Sequence, residues 1–88
     1  MKVNKIAIAG SLESNDALVT IRPVEKGIKL EIDSIVEKQF LDRIEEVAYR
    51  TLERLKVNSV SLKIQDRGAL DCVLEARIET AVLRGGAD

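Results

Sequence analysis

The hydrophobic pattern changes its period in the middle of the chain, and this change restricts the fold. Ile28, Leu30 and Ile32 alternate with charged residues, which is typical of a β-strand with one buried face. From Phe40 to Leu55, apolar residues recur every three or four positions, which is typical of an amphipathic helix. Because each pattern leaves one apolar face to bury, the sequence predicts a sheet packed against helices.

Other stretches of the chain show one or the other of these two periods. Strands are predicted at residues 5–12, 17–22, 28–33 and 60–65, and helices at residues 34–56 and 69–83. Pro23 ends the second strand, Ser34 and Glu37 form a capping box for the first helix, and Gly85-Gly86 ends the second. Short links join the first three strands, so an antiparallel meander is expected.

Together these elements predict an α+β fold. It is a two-layer sandwich in the order β-β-β-α-β-α, with two helices covering a four-stranded, mainly antiparallel sheet. A chain of 88 residues has the size of one domain, so residues 1–88 are expected to form a single unit. The first helix is expected to face the sheet with Phe40, Leu41, Ile44, Val47, Ala48, Thr51, Leu52 and Leu55. The second is expected to use Leu70, Val73, Leu74, Ile78, Ala81 and Val82.

The composition excludes several kinds of active site. The chain has no histidine and one cysteine, Cys72, so it lacks Ser-His-Asp and Cys-His arrangements, histidine metal ligands and an internal disulfide. A net charge of −1 and only two aromatic residues, Phe40 and Tyr49, argue against nucleic-acid binding. Since no membrane span or signal peptide is evident, we expect a cytoplasmic protein. Since histidine is absent and there is one cysteine, we expect no catalytic or metal-binding residues in this chain.

A polar stretch from Gly10 to Asp16 separates the first two predicted strands. Asn and Asp hydrogen-bond to their own backbone and accept turn dihedral angles, so Ser14, Asn15 and Asp16 are expected at the tip of a β-hairpin. A serine at the tip holds its hydroxyl in water, and nothing nearby is suited to making it a nucleophile. From these residues alone, Ser14 is either an ordinary turn residue or an attachment point.

Three motifs stand in a characteristic order. They are Gly10-Ser11-Leu12-Glu13-Ser14, Ser34-Ile35-Val36-Glu37-Lys38-Gln39-Phe40 and Asp66-Arg67-Gly68-Ala69-Leu70-Asp71-Cys72. Together they closely resemble the citrate lyase acyl carrier proteins, the small gamma chains of that enzyme, over about residues 1–81. The resemblance implies that the serine of the Leu-Glu-Ser motif, Ser14, carries phosphoribosyl-dephospho-coenzyme A through a phosphodiester bond.

The resemblance also implies a division of labour. The chain would be a non-catalytic carrier that holds acetyl and citryl thioesters on this arm. It would pass them between the alpha (transferase) and beta (lyase) subunits of citrate lyase while citrate is cleaved to acetate and oxaloacetate. A separate loading enzyme would attach the arm. Glu13 is interpreted first as a solvated turn carboxylate, and recognition by the loading enzyme is its alternative role. Tethering would keep the thioester at about millimolar concentration near both sites.

Several alternatives remain open. The carrier subunit of malonate decarboxylase uses the same prosthetic group, although the motifs look more like the citrate lyase version. A non-covalent protein-interaction module would need no modification at all. Among the serines, Ser11 is expected in the first strand and partly screened. Asp33-Ser34-Ile35 is similar to the Asp-Ser-Leu motif of ordinary acyl carriers, but three strands precede it and a capping hydroxyl is already engaged.

The segment 66–72 allows two interpretations. Asp66 or Gly68 is a candidate cap for the second helix, and Cys72 is a candidate small core residue. An interaction surface is the alternative interpretation of this segment.

Overall fold

In the computed structural model, which describes residues 1–35 and 38–86, two helices cover one face of a four-stranded sheet. The strands are β1 (Ala7–Gly10), β2 (Ala17–Arg22), β3 (Gly27–Ser34) and β4 (Ser59–Asp66). The helices are α1 (Lys38–Arg54) and α2 (Asp71–Gly86). The two-layer α+β sandwich and the element order are therefore confirmed, although β1 is shorter at both ends than expected.

The strand order in the sheet is β1-β2-β4-β3, so the predicted meander is wrong. β2 runs antiparallel to both β1 and β4, whereas β3 runs parallel to β4. The connection from β3 to β4 contains the 17-residue helix α1, and a helical crossover of this length brings two strands side by side in parallel. β4 lies between β2 and β3, and its Val60, Leu62 and Ile64 are at most 1% exposed, whereas the apolar residues of β3, at the edge, are only half-buried.

The core lies between the sheet and the helices. Val19 and Ile21 face it, while Leu18 and Thr20 lie on the opposite, open face of the sheet. Buried helix residues that meet this face are Ile44, Val47, Ala48, Thr51, Leu52, Leu74, Ile78, Ala81 and Val82.

Two residues that were predicted to face the sheet are exposed instead. Phe40 lies in the first turn of α1 and is 40% exposed, with the guanidinium of Arg43 5.6 Å from the centre of its ring. Leu70 is 68% exposed because α2 begins one residue later, at Asp71, so Leu70 does not follow the helical face.

The end of α1 is a left-handed turn that contains no glycine. Lys56 has a φ of 58°, its N–H donates to the Glu53 carbonyl at 3.0 Å, and the Val57 N–H donates to the Leu52 carbonyl at 2.9 Å. These two bonds form a Schellman motif, and the apolar contact that accompanies such a motif pairs Val57 with Leu52, both buried. The amino group of Met1 also donates a hydrogen bond to the Lys56 carbonyl at 2.8 Å.

The prediction that Gly85-Gly86 ends the second helix is wrong, because α2 continues through both residues. A Cβ atom at position 85 would collide with the Ile21 side chain, so glycine here permits a close approach between helix and sheet. The Gly85 carbonyl accepts hydrogen bonds from the N–H groups of Asn4 (3.0 Å) and Lys5 (3.2 Å). This contact fixes the N-terminal segment to the end of α2.

Candidate functional site

The loop between β1 and β2 presents Ser14 to solvent. The N–H of Asp16 donates to the Glu13 carbonyl at 3.2 Å, which closes a turn with Ser14 and Asn15 at its two corners. Asn15 has a φ of 66°, a conformation that asparagine accepts more readily than most residues. The predicted hairpin tip is confirmed, and both Glu13 and Ser14 are exposed.

Asp16 connects the base of this loop to helix α2. Its carboxylate accepts two hydrogen bonds from the Arg77 guanidinium, from Nε at 2.8 Å and from Nη2 at 3.0 Å. The Ser11 hydroxyl donates to the same carboxylate at 2.7 Å, and the Ala17 N–H donates at 2.7 Å. The bonds from Arg77, and then that from Ser11, lower the pKa of the Asp16 carboxyl to about 2, while the Asp16 carboxylate raises the pKa of the Arg77 guanidinium.

Two backbone hydrogen bonds attach the loop to the end of β4. The Asn15 N–H donates to the Arg67 carbonyl at 2.8 Å, and the Arg67 N–H donates to the Asp16 carbonyl at 2.9 Å. They continue the β2–β4 pairing beyond the last residues of the two strands. Ser14 therefore projects from a turn whose following residues are held by both a helix and a strand.

Gly10 allows Arg77 to pass over the end of β1. Its φ is 95°, and a Cβ atom there would overlap the Ala17 carbonyl oxygen and lie 3.1 Å from Cδ of Arg77. Arg77 was not identified from the sequence as a partner of this loop. The available signal was its spacing: Arg77 lies four residues from both Val73 and Ala81 on the apolar face of α2, where a charge needs a partner.

The other two serines of the motifs are less accessible. Ser11 lies just after β1 instead of within it, is half-buried, and accepts a hydrogen bond from the Glu13 N–H at 3.3 Å in addition to donating to Asp16. Ser34, the last residue of β3, is half-buried and donates to the Asp66 carboxylate at 2.8 Å. Glu37, the second member of the predicted capping box, lies outside the described residues.

Asp66 holds the turn between β4 and α2 and does not cap the helix, as had been considered. Its side chain is buried and also accepts hydrogen bonds from the N–H groups of Gly68 (3.2 Å) and Ala69 (3.0 Å). The hydrogen bond that opens helix α2 is instead donated by the Leu74 N–H to the Leu70 carbonyl, at 2.9 Å, so Leu70 is the residue just before the helix. Gly68 is likewise part of the turn rather than the cap, and Cys72 is exposed rather than packed in the core.

Within residues 1–35 and 38–86, no group of three or more potential metal ligands comes together, and no helix is long and apolar enough to cross a membrane.

Comparison with known proteins identifies the family. Residues 4–85 match the acyl carrier family model described as malonate decarboxylase delta subunit. The citrate lyase acyl carrier protein of Clostridium perfringens is 49% identical over 85 residues, which are 96% of this chain and 84% of the relative. That of Edwardsiella ictaluri is 48% identical over 86 residues, 96% of this chain and 87% of the relative. The chain belongs to the citrate lyase acyl carrier protein family.

The fold of this carrier also occurs in a solved complex. A chain in the crystal structure of a Pseudomonas malonate decarboxylase hetero-tetramer with malonate superposes with a TM-score of 0.81. The match covers 98% of the carrier and 93% of the other chain, at 20% identity, so it establishes a common fold. Family membership makes this chain a non-catalytic acyl carrier with a covalently attached prosthetic group, working within an enzyme complex.

Proposed function

We propose that this chain is the acyl carrier subunit of citrate lyase and that Ser14 carries phosphoribosyl-dephospho-coenzyme A through a phosphodiester bond. On this arm the carrier takes acetyl and citryl thioesters between the transferase (alpha) and lyase (beta) subunits during cleavage of citrate to acetate and oxaloacetate. The observation that supports this most is the exposed Ser14 at the tip of a loop fixed by Asp16 and Arg77.

The surroundings of Ser14 fit a large attached group. Its side chain makes no hydrogen bond or ion pair with another described residue, and its hydroxyl extends from an exposed turn. Ser11 and Ser34 are both half-buried, with hydroxyls that already donate to carboxylates. A loading enzyme can therefore reach Ser14 without disturbing the packed part of the carrier.

The mechanism assigns position to the carrier and chemistry to its partners. The chain has no histidine, so the usual general base near neutral pH must come from other subunits. Ser14 contributes a fixed attachment point for a long arm. Tethering on this arm keeps the thioester at about millimolar concentration near two separate sites. The ties to α2 and β4 make the attachment point firm, so the arm provides most of the reach.

Loading the carrier in vitro tests this proposal. The parent and the variants Ser14→Ala, Ser11→Ala and Ser34→Ala are incubated with the loading enzyme and the activated prosthetic group, and intact masses are measured. We expect one arm per chain on the parent and on both control variants, and none on Ser14→Ala. Tryptic mapping that places the arm on Ser11 or Ser34, or a Ser14→Ala variant that still loads, would refute the assignment.

A second candidate is the carrier subunit of malonate decarboxylase. The description of the matching family model and the fold shared with the Pseudomonas hetero-tetramer support it. The identities of 48–49% to citrate lyase carriers favour the first proposal. Supplying the loaded carrier to the subunits of each enzyme separates the two, because we expect it to support turnover of citrate and not of malonate. A parent chain that never gains mass would instead favour the non-covalent interaction module.

A further inference from the structure

Besides Leu12 (49% exposed), which belongs to the Ser14 loop itself, three large apolar residues are exposed at the end of the carrier that bears Ser14. Ile35 is 69% exposed, Leu70 68% and Phe40 40%. We call these three residues the apical patch. Large apolar side chains grouped on a surface often mark an interaction site, whereas isolated ones need no explanation. The contacts of their neighbours place all three at the same end of the molecule.

Ile35 and Leu70 lie next to residues that share one buried carboxylate. Ser34 donates to Asp66 at 2.8 Å and Ala69 donates to it at 3.0 Å, and the two apolar residues directly follow Ser34 and Ala69. The carboxylate thus brings the end of β3 and the residue before α2 together.

Phe40 joins the group through Arg43. The guanidinium of Arg43 lies 5.6 Å from the Phe40 ring centre and forms an ion pair with Asp71 at 3.1 Å. Asp71 directly follows Leu70, so the first turn of α1 and the start of α2 adjoin each other at this end.

The Ser14 loop occupies the same end of the molecule. Its neighbours Asn15 and Asp16 exchange backbone hydrogen bonds with Arg67, the residue after Asp66. An enzyme subunit whose site receives an arm rooted at Ser14 therefore approaches the end where the apical patch lies.

We propose that the apical patch is the surface by which the loaded carrier docks on the subunits that use its arm, and that it binds an apolar rim beside their arm-binding sites. This inference rests on the proposed function of Ser14. Two ion pairs flank the patch, Arg43 with Asp71 and Arg67 with Asp33 (3.7 Å), so these four charges are neutralised within the carrier and the contact that we propose is mainly apolar.

The size of the patch favours a transient partner over a second copy of the chain. The three side chains expose roughly 300 Å² of apolar surface, in the range of functional patches on single chains. A stable dimer buries about 800 Å² on each partner, far more than this patch supplies. A brief contact suits a carrier that must leave one subunit before it can reach the next.

The test uses variants that remove the apolar surface without touching the core. Ile35→Ser, Leu70→Ser and the double variant are compared with Leu83→Ser, which also replaces an exposed apolar residue (49%) but lies about 20 Å from Leu70 along α2. Each is loaded with the arm, checked by mass, and titrated against the purified transferase and lyase subunits of the same organism. The thermal midpoint of each is measured to confirm folding.

We expect the double variant to raise the KM for the carrier at least tenfold with kcat within twofold of the parent, because the residues act on docking and not on chemistry. Leu83→Ser should change neither, and the KM of the parent should vary little with salt. An unchanged KM in the double variant, an equal effect in Leu83→Ser, or self-association of the parent that the double variant abolishes in sedimentation would overturn the inference. A parent that fails to load at Ser14 would instead overturn the proposed function, and this inference with it.

Discussion

At the scale of single residues, Asp16 connects the attachment loop to the packed part of the carrier. One carboxylate accepts from a guanidinium on α2, a hydroxyl at the start of the loop and the first N–H of β2. A bidentate arginine pair restricts orientation as well as distance, so it holds the loop in a defined direction. The orientation of the loop also fixes the position of Ser14, although Ser14 itself bonds to neither Asp16 nor Arg77.

Replacing Asp16 by Asn should lower the free energy of unfolding by about 1–2 kcal/mol at pH 7. This loss lies between the stabilisation that an exposed ion pair gives and the stabilisation that a buried charge-assisted pair gives. Because folding lowers the pKa of this carboxyl from 3.8 to about 2, its stabilisation is complete above pH 3.8 and is lost as the pH falls toward 2. Urea unfolding at pH 7, 4 and 2.5 should therefore show the parent and Asp16→Asn converging at the lowest pH.

Asp42→Asn provides a matched control, because Asp42 is an exposed carboxylate on α1 with no ion pair to another described residue. It should unfold as the parent does at pH 7. A difference between the parent and Asp16→Asn that stays constant down to pH 2.5 would show that the charge of Asp16 is not what stabilises the loop.

Ser34 should matter for stability and not for loading. Its hydroxyl donates to a buried carboxylate, so Ser34→Ala leaves Asp66 with fewer donors and should cost about 1–2 kcal/mol. Ser61→Ala, at a half-buried serine on the open face of β4, should stay within about 0.5 kcal/mol of the parent. Denaturation curves and loading masses of the two variants check this, and a Ser34→Ala variant of unchanged stability that no longer loads would contradict it.

At the attachment loop, the sequence supported some residues and missed others. Turn chemistry placed Ser14 and Asn15 at the tip because these preferences act within a few residues. Arg77 is 61 positions from Asp16, and no local preference links them. Asp66 was a candidate cap for the second helix, but the bond that it accepts from Ser34 depends on β3 and β4 lying side by side.

At the scale of elements, the two periods predicted every helix and strand because each element has to bury one face. Strand neighbours were harder to predict, since alternation identifies a strand without naming its partner. The expectation of a meander followed from the short connections between the first three strands. In the structure the chain passes from β3 through α1 to β4, which pairs with β3 in parallel. The ends of α2 were missed for a different reason: Gly85 is required by close packing on Ile21, not by a helix stop.

The left-handed end of α1 offers a prediction at this scale. Lys56 adopts a φ of 58°, where a residue with a Cβ is disfavoured by about 1 kcal/mol, and glycine is usual at this position of a Schellman motif. Lys56→Gly should therefore raise the free energy of unfolding by about 0.5–1 kcal/mol. Lys56→Ala, which removes the side chain beyond Cβ but keeps the strain, should give no such gain. Chemical denaturation of all three proteins measures this, and equal stability of the Gly and Ala variants would show that strain at Lys56 is negligible.

At the scale of the whole molecule, packing and function occupy different parts of the carrier. The core is formed by the inner face of the sheet and the apolar faces of α1 and α2, and Ser14 contributes nothing to it. The residues proposed to act on partners are exposed and lie at one end. This separation allows a subunit to engage the carrier, and a large group to be attached, while the core remains unchanged.

From this separation we expect the fold to be independent of the prosthetic group. Modification at an exposed turn adds no buried surface, so the loaded and unloaded carriers should differ by less than about 1 kcal/mol in their free energy of unfolding. Amide hydrogen exchange should protect β2, β4 and α2 equally in both forms, and any change should be confined to residues 11–16 and their contacts at Arg67 and Arg77. Unloaded Ser14→Ala should match the unloaded parent, since the hydroxyl makes no hydrogen bond to another described residue. Loss of protection along β2 or α2 in the unloaded form would mean instead that the arm completes the structure, because these two elements supply both the core and the anchor of the loop.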